Sequence, residues 1–151
     1  MEEPKIVTKE AFSVIGLKYR GKNENQEIPQ LWRKLMPRFG ELEKLIKSHE
    51  SYGAARNMDY GSGEFDYLAG FEFAGGMDLP EGMEIWDVPE QKYAVFTATL
   101  PTLMEAFKSI NESWLPDSGY ERTSGTEFEY YDETFDPQDS NSIVLLYIPI
   151  S

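Results

Sequence analysis

The chain has 151 residues, of which 40% are hydrophobic and 14% aromatic, which predicts one folded domain rather than a disordered segment. Its formal net charge of -13 repels phosphate backbones and anionic lipid surfaces, so neither nucleic acid nor a membrane is expected as a direct partner. It has no cysteine, which excludes thiolate catalysis, disulfides and cysteine-bound zinc.

The chain starts with the acidic segment Met-Glu-Glu-Pro-Lys, and no apolar run of signal-peptide or membrane-spanning length follows, so a cytoplasmic protein is expected. Two short strands are predicted next, at 6–8 and 12–19, and we interpret them as an opening hairpin. On the second strand, Phe12 and Val14 are expected on the same side as Leu17 and Tyr19, after a slip of one residue.

The strongest periodic pattern begins at Ile28 and predicts an amphipathic helix. Its apolar positions are Ile28, Leu31, Trp32, Leu35, Met36, Phe39, Leu42, Leu45 and Ile46. Pro37 cannot donate an amide hydrogen bond, so it is expected to divide this helix into two pieces. His49 is expected on the surface at the end of the helix, and as the only histidine it has no partner with which to bind a metal.

Strands follow at 52–57 and 65–73, the second with alternating residues on one face, namely Phe65, Tyr67, Ala69, Phe71 and Phe73. The pattern then repeats with strands at 83–88 and 92–99. A second helix is predicted from a capping box of Thr102 and Glu105 to a stop at Pro116 and Gly119. Its apolar face is Leu103, Met104, Phe107, Ile110 and Trp114. Strands at 128–131 and 143–150 complete the chain.

The repeat predicts a single domain over residues 1–151 made of two β-β-α-β-β halves, at about 4–75 and 83–151. We expect an α+β fold in which the halves are related by a pseudo-twofold axis, and in which two main helices cover one face of an antiparallel sheet. A ligand cleft is expected on the other face or at the seam between the halves. Tyr52 and Glu129 follow their helices at matching positions, so they are expected to converge there.

Glu129 is a carboxylate within an aromatic strand, and its surroundings decide its role. It either points into solvent between core aromatics or lies in an aromatic pocket. A buried carboxylate is costly unless a cation or hydrogen-bond donors compensate it, and aromatic rings attract a bound organic cation as well. The strand itself leaves both readings open.

Several segments together resemble the GyrI-like domain family, also called the AraC-type effector-binding domain family. They include Ile28-Pro29-Gln30-Leu31-Trp32, Tyr52-Gly53-Ala54 and Phe128-Glu129-Tyr130-Tyr131, with further matches at 67–73, 89–96, 114–121 and 147–150. The resemblance implies that Glu129 pairs with cationic ligands, with Tyr52 and Trp32 as aromatic walls. The alternative for Trp32 is a core position on its helix. Further pocket candidates are Tyr67, Phe71, Tyr93 and Leu100.

The resemblance implies a stand-alone, monomeric, multidrug-type binder of hydrophobic, aromatic and often cationic molecules, with no cofactor and no metal. One alternative is a hydrolase that opens cyclopropanoid toxins, with Glu129 and Tyr52 as catalytic residues. Another is a protein that modulates DNA gyrase. Regulators of the family carry a helix-turn-helix, for which this length is expected to leave no room, so a separate regulator is a further partner to consider.

Overall fold

The computed structural model describes residues 3–151, so Met1 and Glu2 of the acidic start considered above lie outside the described part. These residues form strands β1 to β8, which are Lys5–Lys9, Phe12–Gly21, Ile46–Arg56, Phe65–Phe73, Met83–Val88, Gln91–Ala98, Glu127–Tyr131 and Val144–Pro149. Helix α1 is Glu27–Leu35, α2 is Leu103–Ser109 and the short α3 is Leu115–Ser118. Within residues 3–151, no helix is long and apolar enough to cross a membrane.

The strands form one antiparallel sheet in the order β1-β6-β8-β7-β3-β4-β2-β5. The order is symmetric about its middle, because β3 lies beside β7, and the pairs β4 and β8, β2 and β6, and β1 and β5 follow outward. Each pair contains equivalent strands of the two halves. This arrangement confirms the predicted fold class, an α+β fold with duplicated halves.

The predicted opening hairpin is wrong, because β1 pairs with β6 while β2 pairs with β4 and β5. The first strand of each half therefore lies at the edge of the other half's strands. Short spacing favours a hairpin only when the two strands are neighbours in the sheet. Here the partners across the halves are distant in sequence, as in Lys5 with Val95 and Phe12 with Val88.

The sheet is strongly curled. Only two residues join β1 to β2, and two join β5 to β6, although each connection links strands near opposite edges of the sheet. Three Cα steps span at most about 11 Å, so the edges must approach each other at this end. The inside of the curl is filled by side chains that include Val14, Tyr52, Trp86, Tyr93 and Phe128, and it is a packed core rather than an open cleft.

The helices cover the opposite face in two apolar clusters. Helix α1 and the 3-10 turns at Met36–Glu41 pack on β2 and β4, and helix α2 with its π-helical continuation at Ile110–Trp114 packs on β6 and β8. Leu17 and Tyr19 belong to this face, whereas Phe12 and Val14 point into the curl. The expected slip is therefore wrong, since β2 alternates regularly from end to end.

The first helix is divided at Pro37, as predicted, and continues as 3-10 turns. Its end differs from the prediction, because Ile46 and His49 lie in β3. Leu42 and Leu45 keep the helical spacing and are buried, but the chain turns after Leu42 and is extended from Ile46. The ring of His49 packs edge-on against Phe39, with centroids 5.2 Å apart.

The second helix departs from the prediction at both ends. The hydroxyl of Thr102 bonds to Thr99 and does not cap α2, and Met104 is 86% exposed rather than buried. Pro116 does not stop the helix, since it occupies the first turn of α3, where its missing amide hydrogen costs nothing. The helix ends at Gly119, whose φ of 81° is left-handed.

Candidate functional site at the seam

Glu129 lies at the seam between the two halves, where β7 pairs with β3. Its backbone partner is Gly53, and the adjacent partners are Tyr52 and Tyr130. Successive residues of a strand point to opposite faces of the sheet. The side chain of Glu129 therefore lies on the helix-covered face, while Tyr52 and Tyr130 point into the curl.

Two phenols hold the carboxylate of Glu129 by the same oxygen. The hydroxyl of Tyr131 donates to Oε1 at 2.7 Å, and that of Tyr67 donates to Oε1 at 3.1 Å. The indole Nε1 of Trp32 in turn donates to the Tyr67 hydroxyl at 3.1 Å, which ties helix α1 to the carboxylate. Oε2 accepts no hydrogen bond from residues 3–151, so it is the oxygen left for a ligand.

A small cavity lies beside Glu129 between β3, β7, β8 and helix α2. Its volume is about 20 Å³, and it is lined by Gly53, Ala55, Phe107, Glu127, Phe128, Glu129 and Ile148. This is room for about one water molecule, whereas pockets for small organic ligands measure roughly 300–1,000 Å³. A ligand of ordinary size can enter only if the covering elements, foremost Phe107 on α2, move aside.

A second carboxylate, Glu127, lines the same cavity and faces Arg122. The Nε of Arg122 lies 3.2 Å from Glu127 Oε2, and both side chains are mostly buried. Neither Nε nor Nη2 of Arg122 has a hydrogen-bond partner among the described residues, so charge rather than hydrogen-bond geometry holds this pair. Glu129 forms no ion pair with any residue in the 3–151 range, so its charge has no cation beside it.

The surroundings of Glu129 disfavour its charged form. Burial raises the pKa of its carboxyl and nearby Glu127 adds to the rise, while hydrogen bonds from Tyr131 and Tyr67 oppose it; the net direction is upward. Burial and the charge of Glu129 raise the pKa of both phenols well above the ordinary range, so they stay protonated donors. Burial also raises the pKa of Glu127, and the charge of Arg122 opposes that rise.

This direction predicts how stability depends on pH. Because the folded pKa of Glu129 lies above its ordinary value of 4.5, the folded state binds the proton more tightly than the unfolded state. The side chain thus adds a cost to folding that is absent below pH 4.5 and grows as pH rises through the folded pKa. Glu129→Gln is expected to be more stable than the wild type at neutral pH and equally stable at about pH 4.

Thermal unfolding of both proteins across this pH range checks the prediction. Glu133→Gln, which removes an exposed carboxylate of the next loop, is the matched control and should follow the wild-type profile. A stability gain for Glu129→Gln that is the same at every pH would contradict the assignment.

The structure brings some of the predicted site residues together and separates others. Trp32 and Tyr67 join Glu129 in one hydrogen-bonded chain. The predicted convergence of Tyr52 with Glu129 is wrong, and Tyr93 is likewise on the far side, since both rings fill the inside of the curl at 2% and 0% exposure. A phenol on that face cannot assist the Glu129 carboxylate, so the catalytic pairing of Glu129 with Tyr52 finds no geometric support.

Phe71 and Leu100 also lie away from the cavity. Phe71 shares the helix-covered face but packs against Phe39, with ring centroids 5.1 Å apart. Leu100 is 39% exposed in the turn before α2. Sequence reasoning missed Tyr131, Glu127 and Gly53 as site residues. Tyr131 and Glu127 could have been predicted, because residues two positions from Glu129 on a strand lie on the same face. Gly53 could be found only from the pairing of β3 with β7.

Comparison with known proteins identifies the family. Residues 5–150 match the family model described as Cass2, integron-associated effector binding protein. A curated relative, the transcriptional regulator BrlR of Pseudomonas aeruginosa, is 44% identical over 149 residues, which cover 97% of this chain and 54% of the relative. The chain thus spans about half the length of that regulator.

Solved structures share the fold. SAV2435 bound to tetraphenylphosphonium aligns with a TM-score of 0.81 at 14% identity, over 99% of this chain and 94% of that one. The integron cassette protein VCH_CASS2 of Vibrio cholerae aligns at 0.67 with 22% identity, over 99% and 97%. The EcmrR C-terminal domain aligns at 0.73 with 14% identity, over 99% and 97%. The chain belongs to the Cass2 family of integron-associated effector-binding proteins, which confirms its resemblance to the effector-binding domains.

Proposed function

We propose that the protein binds hydrophobic, aromatic cations at the seam cavity, with Glu129 as the counter-charge. The observation that carries this proposal is the Glu129 carboxylate itself, which is held by two phenols through Oε1, has a free Oε2 and lacks a cation among the described residues. Keeping a charge in such a place costs stability. A bound cation offsets this destabilisation, and the offset contributes to the free energy of binding.

The aromatic side chains near the carboxylate suit an organic cation. The rings of Trp32 and Tyr131 lie 5.9 Å apart at 74°, and Phe107 closes the cavity from α2. Each ring that faces a bound cation contributes roughly 0.5–2 kcal/mol. The structural likeness to SAV2435, which was solved with the organic cation tetraphenylphosphonium, supports the same ligand class for this chain.

Titration with a pair of matched probes tests the proposal. N-methyl-phenylpyridinium is a flat monocation, and phenylpyridine at about pH 8 is its uncharged counterpart. We expect saturable binding of the cation by calorimetry, with a change in tryptophan emission that comes from Trp32, because its indole reaches Glu129 through Tyr67.

Two tryptophan variants sharpen the readout. Trp32→Phe should lose the emission change while calorimetry still detects the cation. Trp114→Phe should keep it, since Trp114 packs against Phe96 and Tyr120 beneath α2. An absence of saturable heat and of any emission change with either this probe or tetraphenylphosphonium would refute the proposal.

The two alternatives have less support. The hydrolase alternative loses Tyr52 as a partner for Glu129, and two Listeria innocua structures described as hydrolases share only the fold, at 9% identity and TM-scores of 0.57 and 0.56. The relatives reported above lend no support to a gyrase-modulating role. Binding is therefore the function that the geometry favours.

A further inference from the structure

The seam cavity is lined by a second carboxylate, Glu127, beside the Glu129 carboxylate that the proposed cation binding uses. Glu127 and Glu129 both line it, and they lie two residues apart on one strand, so their Cα atoms are roughly 7 Å apart. Two free carboxylates at this spacing would suit a ligand with two positive charges. Only Glu129 is free, however, because Arg122 lies 3.2 Å from Glu127.

We propose that Arg122 limits the site to ligands with a single positive charge by neutralising Glu127. This inference rests on the proposed function and names the ligand class more narrowly. The cavity then has one unbalanced negative charge, that of Glu129, and a neutral pair beside it. A monocation balances this charge, whereas the second charge of a dication finds beside Glu129 only a Glu127 carboxylate that Arg122 already neutralises.

Arg122 is well placed for this role. It lies outside the strands, in an isolated bridge with Ile150, and its side chain is only 21% exposed, so solvent screens its charge poorly. The guanidinium stays charged at any physiological pH. Since the pair is not fixed by a hydrogen bond from Nε or Nη2 within the described residues, its main effect on the cavity is electrostatic.

Charge variants measured with two probes test the inference. N-methyl-phenylpyridinium serves as the monocation and methyl viologen, of similar size and shape, as the dication, both by calorimetry at about pH 8. The wild type should prefer the monocation. Glu127→Gln leaves the guanidinium unbalanced, and at this distance its repulsion should weaken the monocation about tenfold or more.

Two further variants separate charge from structure. The double variant Glu127→Gln with Arg122→Gln has no pair at all, and its affinity for the monocation should return to within about threefold of the wild type. Arg122→Gln alone leaves the charge of Glu127 without its cation, so the ratio of the two affinities should shift about tenfold toward methyl viologen. Arg122→Lys keeps the charge and should keep the wild-type preference, and Glu133→Gln controls for net charge.

The outcomes are distinct. If the double variant binds as weakly as Glu127→Gln, or if Arg122→Gln leaves the ratio of the two affinities unchanged while the wild type binds, the role of Arg122 is refuted and cation binding stands. If the wild type binds neither probe and no tetraphenylphosphonium, both the proposed function and this inference are refuted.

Discussion

Glu129→Gln is expected to bind N-methyl-phenylpyridinium about tenfold to a hundredfold more weakly than the wild type. The substitution keeps the size of the side chain and an oxygen that accepts from Tyr67 and Tyr131, but it removes the charge. The probe has no N–H to donate, so the lost interaction is the attraction of two charges, which at about 4 Å is roughly 1 kcal/mol in water and roughly 4 kcal/mol at an effective dielectric constant of about 20, a range that includes this loss. Calorimetric titration of the purified variant measures it directly.

Uncharged phenylpyridine provides the internal control, because its affinity should change little when Glu129 loses its charge. Glu133→Gln lowers the net negative charge equally on an exposed loop and should bind the cation as the wild type does. Equal losses for the charged and uncharged probes would show that the substitution damages the shape of the cavity, and the electrostatic role of Glu129 would then be wrong.

Gly53→Ala is expected to destabilise the protein by about 1–3 kcal/mol and to abolish cation binding. A Cβ at this position would overlap the hydroxyl of Tyr67 and lie 2.8 Å from Glu129 Oε1. In an unobstructed strand the same substitution stabilises a protein by about 0.5–1 kcal/mol, so the expected sign is opposite to the usual one. Chemical denaturation and cation titration measure the two effects.

Gly40→Ala is the matched control, because a Cβ at Gly40 meets no heavy atom within 4 Å. Its stability should equal or slightly exceed that of the wild type. Adding Tyr67→Phe to Gly53→Ala removes the obstructing hydroxyl and should recover part of the lost stability. If Gly53→Ala is as stable as the wild type, the crowding at the carboxylate is not as described.

Local patterns predicted several of the strands well. The alternation of Phe65, Tyr67 and Phe71 correctly predicted that all three share one face, and in the structure it is the face under the helices. The strand from Met83 to Val88 was also predicted at its observed bounds. The large aromatic residues of β4 occupy every second position, so the two-residue period of a strand suffices to collect them on one face.

Pairing between distant strands could not be predicted in the same way. The exchange of β1 and β5 between the halves depends on hydrogen bonds between strands that are distant in sequence, such as those around Lys5 and Val95, and alternation within a strand carries no information about them. The curl that follows from this exchange is what buries Tyr52 and Tyr93.

The carboxylate of the site could be predicted, but its neighbours only partly. The resemblance pointed to Glu129, Trp32 and Tyr67, which the structure joins by hydrogen bonds. Matching the two halves by position aligned Tyr52 with Glu129, while the pairing register sets Gly53 opposite Glu129. A shift of one residue in a strand exchanges one face for the other, which suffices to replace a phenol by a glycine.

The exchanged edge strands also determine how the molecule can open. Each half supplies the outermost strand of the other, so the two halves are interlocked. They cannot separate by a hinge motion unless the hydrogen bonds of β1 with β6 and of β5 with β2 break. The sheet beneath the seam cavity therefore stays closed, and a ligand can enter only if the covering helices move. The same interlocking means that neither half can complete its sheet alone. Folding must therefore join residues as far apart as Lys5 and Val95, a topology associated with slow folding.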